Sequence, residues 1–379
     1  MSEPPARRLG NRPGLTGLRA VAIAVVVARH AGEVWPGGFD ASAFGFAGVD
    51  IFFVLSGFLI TSLLVGEWSR TRTISLGQFY IRRALRLLPA LFAFLLVVLI
   101  FTPFEPDVSH RVLAETVGLG AVFLGNIAKT LHWQFPLPHL WSLGMEEQFY
   151  LLWPVLLLVL LRLRAPRRLV LGLTLGGVVV VDVARVALHA GGDASAFTLF
   201  YSPLHSDGLL IGCALGLAYA WEWVPPPDSR RRLLGAAVLG AAAVFVVVAV
   251  RGAPYVAWGT TWGLTVIALA AAVFVYAAID ERPVLPLRFL TWGPVIYLGE
   301  ISYALYLWHF PVLYLWPTNQ LSVPGRVAIS VGLAATSFEF VEKPFLRRKP
   351  RHTPDVTERD ATLGPMVAPR PAEAPGAGG

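Results

Sequence analysis

Residues 47–66 read AGVDIFFVLSGFLITSLLVG, twenty positions in a row with a single charge, Asp50. A helix rises about 1.5 Å per residue, so a run of this length is just enough to cross the hydrocarbon of a bilayer. The rest of the chain repeats the pattern. Its 379 residues are 55% hydrophobic and 15% charged, where a soluble domain carries about a quarter charged. Ionised side chains are costly in lipid, so the polar residues left inside apolar runs are the ones that need a reason. A single cysteine, Cys213, excludes an intramolecular disulfide and a CxxC metal site.

Eleven stretches have the length and apolar content of a span: about 15–34, 47–66, 87–103, 112–130, 143–161, 168–188, 206–223, 233–250, 258–279, 294–316 and 325–343. The gaps between them leave no room for a soluble domain. The net charge of +7 comes from short basic clusters in those gaps, which set orientation rather than bind nucleic acid. The basic N-terminus and the cluster Arg70, Arg72, Arg82, Arg83 and Arg86 belong on the cytoplasmic side. If 112–130 spans, the later clusters fall outside; if it does not, every later loop obeys the rule. Glu115, Asn126 and Lys129 make that stretch a poor span. The sequence therefore predicts an all-α polytopic helix bundle of about ten transmembrane helices. Segment 112–130 is then re-entrant or at the outer surface, and both termini are cytoplasmic. The expected organisation is a basic N-terminus (1–14), one membrane domain (15–347) and a tail (348–379) too poor in apolar residues to order itself.

Within the spans, Arg19 and His30 stand eleven positions apart, about 16 Å and close to three turns, so they share one side of a helix. Asp50 lies at a depth that suits contact with His30, where a carboxylate would fix the tautomer. Arg82 and Arg83 each sit within one turn of Arg86, forming a basic face whose forks suit phosphate. The run His139-Leu140-Trp141-Ser142-Leu143-Gly144-Met145-Glu146-Glu147 puts two adjacent acids into a span. His205, Asp207 and His309 are further polar residues in apolar surroundings. Each has a plainer explanation: Arg19 as a snorkelling anchor, Asp50 as a helix cap, the arginines as orientation signals, the acids set against a helix dipole, the histidines as satisfied core residues. Together they describe a polar path through the membrane, with His30, Asp50, Glu146 or Glu147, His205 and Asp207 toward the outer half and the arginines toward the inner side.

In combination and order these motifs resemble acyltransferase family 3, membrane proteins that modify surface glycans, peptidoglycan and some secondary metabolites. The resemblance covers about residues 14–347. It rests on Gly17-Leu18-Arg19 with His30, on Gly48-Val49-Asp50-Ile51-Phe52-Phe53 through Ser56-Gly57-Phe58, and on Phe79-Tyr80 with Arg82, Arg83 and Arg86. It also rests on Trp141-Ser142-Leu143 with Glu146 and Glu147, on Ser302-Tyr303 through Trp308-His309 and Pro311, and on Glu342-Lys343-Pro344. Thr16 stands where the family usually has an acid, and only a short tail follows the last span, which suggests a stand-alone enzyme.

The resemblance implies an O-acyltransferase that uses cytoplasmic acyl-CoA, usually acetyl-CoA, and no metal. The acceptor would be a carbohydrate, a lipid-linked glycan or a glycosylated metabolite. His30, Asp50, Glu146 and Glu147 are then the expected catalytic groups. Arg19, Arg82, Arg83 and Arg86 would hold the coenzyme, and Trp141, Ser142, His205, Asp207 and His309 the acceptor. Membrane lipids are the remaining expected partners, and no nucleic acid is expected. Abundant Ala, Arg, Gly, Pro and Val suggest a GC-rich bacterial genome, hence a bacterial cell membrane. A transporter or flippase of a lipid-linked glycan or small molecule is the rival reading, since it too would need spans and a polar path.

Overall fold

The computed structural model describes residues 7, 9–10, 12–35, 42–102, 109–192, 195–250, 259–316 and 320–348. The tail expected over 348–379 lies outside these except for Arg348, as do most of the basic segment 1–14 and the loop 251–257. Among the described residues every regular element is helical. In chain order the α-helices are α1 (Pro13–Glu33), α2 (Ser42–Thr71), α3 (Leu76–Phe101), α4 (His110–Ala121), α5 (Gly125–Thr130), α6 (Leu140–Arg162), α7 (Arg167–Ala190) and α8 (Ala196–Tyr201). They continue with α9 (Asp207–Ala220), α10 (Arg231–Val250), α11 (Leu264–Ala278), α12 (Gly293–Glu300), α13 (Ser302–Phe310), α14 (Val323–Ser337) and α15 (Lys343–Arg347).

Among the described residues, six helical segments are long and apolar enough to cross a membrane: α1, α2, α3, α6, α7 and Thr261–Ala278, which contains α11. The surface agrees, because it is apolar where a soluble protein would be charged. Phe92, Leu96, Leu99 and Ile100 of α3 and Leu173, Val179, Val180 and Val183 of α7 all point outward. Asp50, Arg185, His205, Asp207 and His309 are enclosed. This distribution, polar inside and greasy outside, makes the chain an integral membrane bundle.

The stretch 112–130 is not one helix. A turn at Val122–Leu124 divides it into α4 and α5, with Phe123 at φ 59°, and neither half has the roughly twenty residues a span requires. Buried Asn126 in α5 exchanges hydrogen bonds with Gln148 of α6 at 2.9 and 3.3 Å. The stretch 294–316 is interrupted as well. α12 ends at Glu300, α13 follows, and at Pro311, which has no N–H to give, the helix widens into a π-turn over Pro311–Leu315.

α1 and α2 run through the middle of the bundle, and glycines let their backbones meet their neighbours. A Cβ on Gly17 of α1 would stand 2.0 Å from the Leu290 carbonyl, and one on Gly299 of α12 would stand 2.0 Å from the Thr16 carbonyl. α2 and α9 interlock through Gly57, facing the Leu209 carbonyl, and Gly212, facing the Val54 carbonyl at 2.2 Å. With no hydrophobic effect between helices in lipid, this close backbone packing is what holds the pair. Gly212→Val is therefore expected to cost about 1–3 kcal/mol or more by overpacking. The monodisperse fraction in detergent should fall, while Gly66→Ala, which meets nothing within 4 Å, should not change it.

Candidate active site

α1 carries the two ends of the site. Near its N-terminal end Arg19 lines a cavity of about 400 Å³ with Arg82, Arg83 and Arg86 of α3, Glu67 of α2, and Ser142, Glu146 and Tyr150 of α6. The four guanidiniums are not equivalent. Arg83 donates from Nη2 to Glu147 at 2.8 Å and from Nε at 3.1 Å, and it lies over the Tyr150 ring. Arg82 stands 3.9 Å from Glu67. Arg19 and Arg86 make no hydrogen bond or ion pair among the described residues. Glu146, across the cavity, accepts from the Ser56 hydroxyl at 3.1 Å and the Tyr150 hydroxyl at 3.3 Å.

Three turns further along α1, His30 lines a second cavity of about 360 Å³ with Arg29, Glu33, Lys129, His139, Trp141, Tyr201, Phe310 and Tyr314. Its Nδ1 lies 3.2 Å from Nε2 of His309, which is fully enclosed behind it. The hydrogens can be assigned from the other end of the pair. His309 Nδ1 faces the Leu305 carbonyl at 3.0 Å, and a carbonyl only accepts. His309 therefore carries its proton on Nδ1, its Nε2 accepts from His30 Nδ1–H, and the lone pair of His30 remains on Nε2. The Tyr314 hydroxyl donates to Glu33 at 2.5 Å and toward the His30 carbonyl at 3.1 Å.

This corrects the expected partner of His30. Asp50 is enclosed, and its Oδ1 meets His205 Nε2 at 3.1 Å; His205 Nδ1 in turn faces the Phe200 carbonyl at 2.9 Å. The packing of α2 on α9 turns Asp50 toward His205, so the group that orients His30 is an imidazole, not a carboxylate. The acids of α6 also lie elsewhere than expected. Glu146 and Glu147 fall with the arginines rather than in the outer half, because Glu146 lies about 10 Å along α6 from His139. His205 is stacked behind Trp141, with ring centroids 5.4 Å apart, and lines neither cavity. Asp207 is bound to Arg185 by two contacts of 3.0 Å. Ser142 faces the arginine cavity. Of the residues expected to hold an acceptor, only Trp141 lines the cavity of His30.

Two participants were not singled out from sequence. His139, directly before α6, is 4% exposed, and among the described residues neither ring nitrogen makes a hydrogen bond of normal geometry, although the Leu307 carbonyl lies close to the ring. Its ring is stacked on Phe310 at 4.8 Å and lies 5.6 Å from that of His309. Tyr306 of α13 donates to the His139 carbonyl, and its hydroxyl lies 2.5 Å from Ser142 Oγ. Both residues are in motif-rich segments, but the sequence does not reveal which neighbour each one faces.

The chain is thus a membrane helix bundle with guanidiniums at one end of a central helix and paired imidazoles at the other. Residues 12–336 match the acyltransferase domain family, and the chain belongs to it. It is similar to the peptidoglycan O-acetyltransferase OatA of Listeria monocytogenes, 30% identical over 351 residues that cover 88% of this chain and 55% of the relative. The O-acetyltransferase OatA of Staphylococcus aureus is 32% identical over 357 residues, covering 89% of this chain and 57% of the relative. The putative peptidoglycan O-acetyltransferase YrhL of Bacillus subtilis is 31% identical over 359 residues, covering 88% and 54%. The chain thus spans a little over half the length of the curated relatives it matches. No solved structure matches it.

Proposed function

We propose that this chain moves an acyl group, acetyl by preference, from cytoplasmic acyl-CoA to a hydroxyl of a cell-surface carbohydrate such as peptidoglycan. It would do so in a bacterial cell membrane with both termini cytoplasmic. The observation that carries the reading is the pair of cavities along α1, one rich in guanidinium and one built around His30. Acyl-CoA is anionic at its nucleotide and neutral at its thioester, so it fits an arginine cavity that ends near an imidazole. Arg19 and Arg86 are the cations best placed for it, since Arg83 already holds Glu147.

In this mechanism the acceptor hydroxyl gives its proton to His30 Nε2 while its oxygen bonds to the thioester carbonyl carbon. The C–S bond then breaks, and the leaving sulfur takes the proton from the imidazolium and departs as free thiol. His309 keeps His30 in the right tautomer, and the nitrogens of His139 offer hydrogen bonds to the incoming hydroxyl. Trp141 and Tyr201 supply flat apolar faces for a sugar ring.

The test is to reconstitute the protein in vesicles with labelled acetyl-CoA and glycan strands and to look for an O-acetyl ester. Label in the glycan is expected; a protein that moves glycan across the bilayer without acylating it would overturn the reading. Arg86→Gln should raise KM for acetyl-CoA roughly tenfold to a hundredfold, the worth of one charged hydrogen bond. The acceptor KM should stay the same, and equal effects on both would make Arg86 a purely structural residue.

A further inference from the structure

The arginine cavity and the His30 cavity have two lining residues in common, Val49 of α2 and Tyr306 of α13. These side chains therefore form the boundary between donor and acceptor sites. Both are well enclosed, Val49 at 7% and Tyr306 at 9% exposure. Neither is free to swing. Val49 is β-branched in a helix and has essentially one χ1 rotamer. Gly48, beside it, packs directly on α1, where a Cβ would stand 2.6 Å from the Ala22 carbonyl. Tyr306 is fastened at its tip: its hydroxyl donates to the His139 carbonyl and so accepts from Ser142 Oγ at 2.5 Å. The segments that carry this fastening, α6 and its lead-in, also place His139 and Trp141 in the His30 cavity.

We propose that Val49 and Tyr306 form a size-selective partition that sets the length of the acyl group this enzyme transfers. This inference rests on the acyl-CoA reading above. The thioester carbonyl must come within bonding distance of the acceptor oxygen at His30, so the acyl chain must pass or occupy the gap between these two side chains. A two-carbon group needs little room there, whereas each further methylene must displace a rigid valine or break the tyrosine's hydrogen bonds. Discrimination by one methylene in a fitted pocket is typically about 10–200-fold.

The experiment measures kcat/KM for acetyl-, propionyl- and butyryl-CoA in vesicles, for wild type, Val49→Ala, Val49→Ile and Tyr306→Phe. Wild type should prefer acetyl. Val49→Ala should raise the butyryl-to-acetyl ratio at least tenfold, and Val49→Ile should lower the propionyl-to-acetyl ratio. Tyr306→Phe keeps the ring but loses the fastening, and should raise the butyryl ratio by a smaller factor. A merely structural role would change all donors together, so ratios equal to wild type in any active Val49 variant overturn the partition. A wild type that uses butyryl-CoA as well as acetyl-CoA overturns it too. If wild type transfers nothing from any acyl-CoA, the acyl-CoA reading itself fails and the partition fails with it.

Discussion

Replacing His30 by glutamine should lower acyl transfer by about 10²–10⁴-fold, the usual contribution of a positioned general base, with the protein still folded in the membrane. Glutamine is similar in size and can hydrogen-bond His309, but it has no lone pair basic enough to take a hydroxyl proton. The effect should fall on kcat, because Arg19, in the cavity that would bind the donor, lies about 16 Å away along α1. In the proposed mechanism His309 is a positioning residue, and the geometry makes a graded prediction. His309→Gln keeps an acceptor oxygen for His30 Nδ1–H, whereas His309→Leu removes it and frees the ring to place its proton on Nε2, the wrong nitrogen for a base. The expected order of kcat is wild type, then His309→Gln, then His309→Leu, with KM for acetyl-CoA the same in all three. Single-turnover rates in vesicles would measure it. A His30→Gln protein with undiminished transfer would remove the imidazole from the chemistry.

How much of this could be read beforehand depended on whether one helix or two were involved. The long apolar runs of α1, α2, α3, α6 and α7 are stated outright by composition. The break in 112–130 was also legible, because Glu115, Asn126 and Lys129 cannot all face lipid. The spacing of Arg19 and His30 is a property of α1 alone, so their separation into two cavities along one helix follows from the helical rise. The error over Asp50 has a different origin. Depth in the membrane follows from position in a span, but direction around the helix depends on what packs beside it. Gly57 and Gly212 bring α2 against α9, and that contact turns Asp50 to His205 rather than to His30. No pattern within α2 records it. The span 143–161 opens on the outer side, which suggests the outer half for Glu146 and Glu147; α6 begins at Leu140, and by residue 146 it has already reached the arginines. His139 belongs to a motif, yet its significance lies in an enclosed ring whose nitrogens make no hydrogen bond of normal geometry among the described residues, which only the packed structure displays.

The same packing argument makes Arg185 the position where a substitution should harm stability most. Its side chain is fully enclosed in an apolar bundle, and every polar contact it makes is to a different turn or helix. Nη1 donates to Asp207 Oδ1 at 3.0 Å and to the Leu204 carbonyl at 3.1 Å. Nη2, with two hydrogens, faces three acceptors, Asp207 Oδ2 at 3.0 Å, Asp182 at 2.9 Å and the Thr265 hydroxyl at 2.8 Å, so one guanidinium joins α7, α9 and α11. Arg185→Met leaves the enclosed Asp207 carboxylate without its cation, with a hydrogen bond from Thr265 at 2.7 Å remaining. Stranding a buried charge in this way typically costs about 3–5 kcal/mol. Asp207→Leu should cost less, because the guanidinium keeps Asp182, Thr265 and the Leu204 carbonyl. Buried ion pairs are expensive to assemble, so the double variant Arg185→Met with Asp207→Leu should be more stable than Arg185→Met alone, and the double-mutant cycle should show strong coupling. Thermal unfolding in detergent, followed by intrinsic fluorescence, would rank the four proteins. Additive losses would mean that the pair is not a closed unit and that Asp182 or Thr265 takes over when one member is gone. Because Asp207 opens α9 just after His205, and His205 supports Trp141, the single variants should also raise the acceptor KM, while KM for acetyl-CoA, which in the proposed mechanism depends on the far end of α1, should stay at the wild-type value.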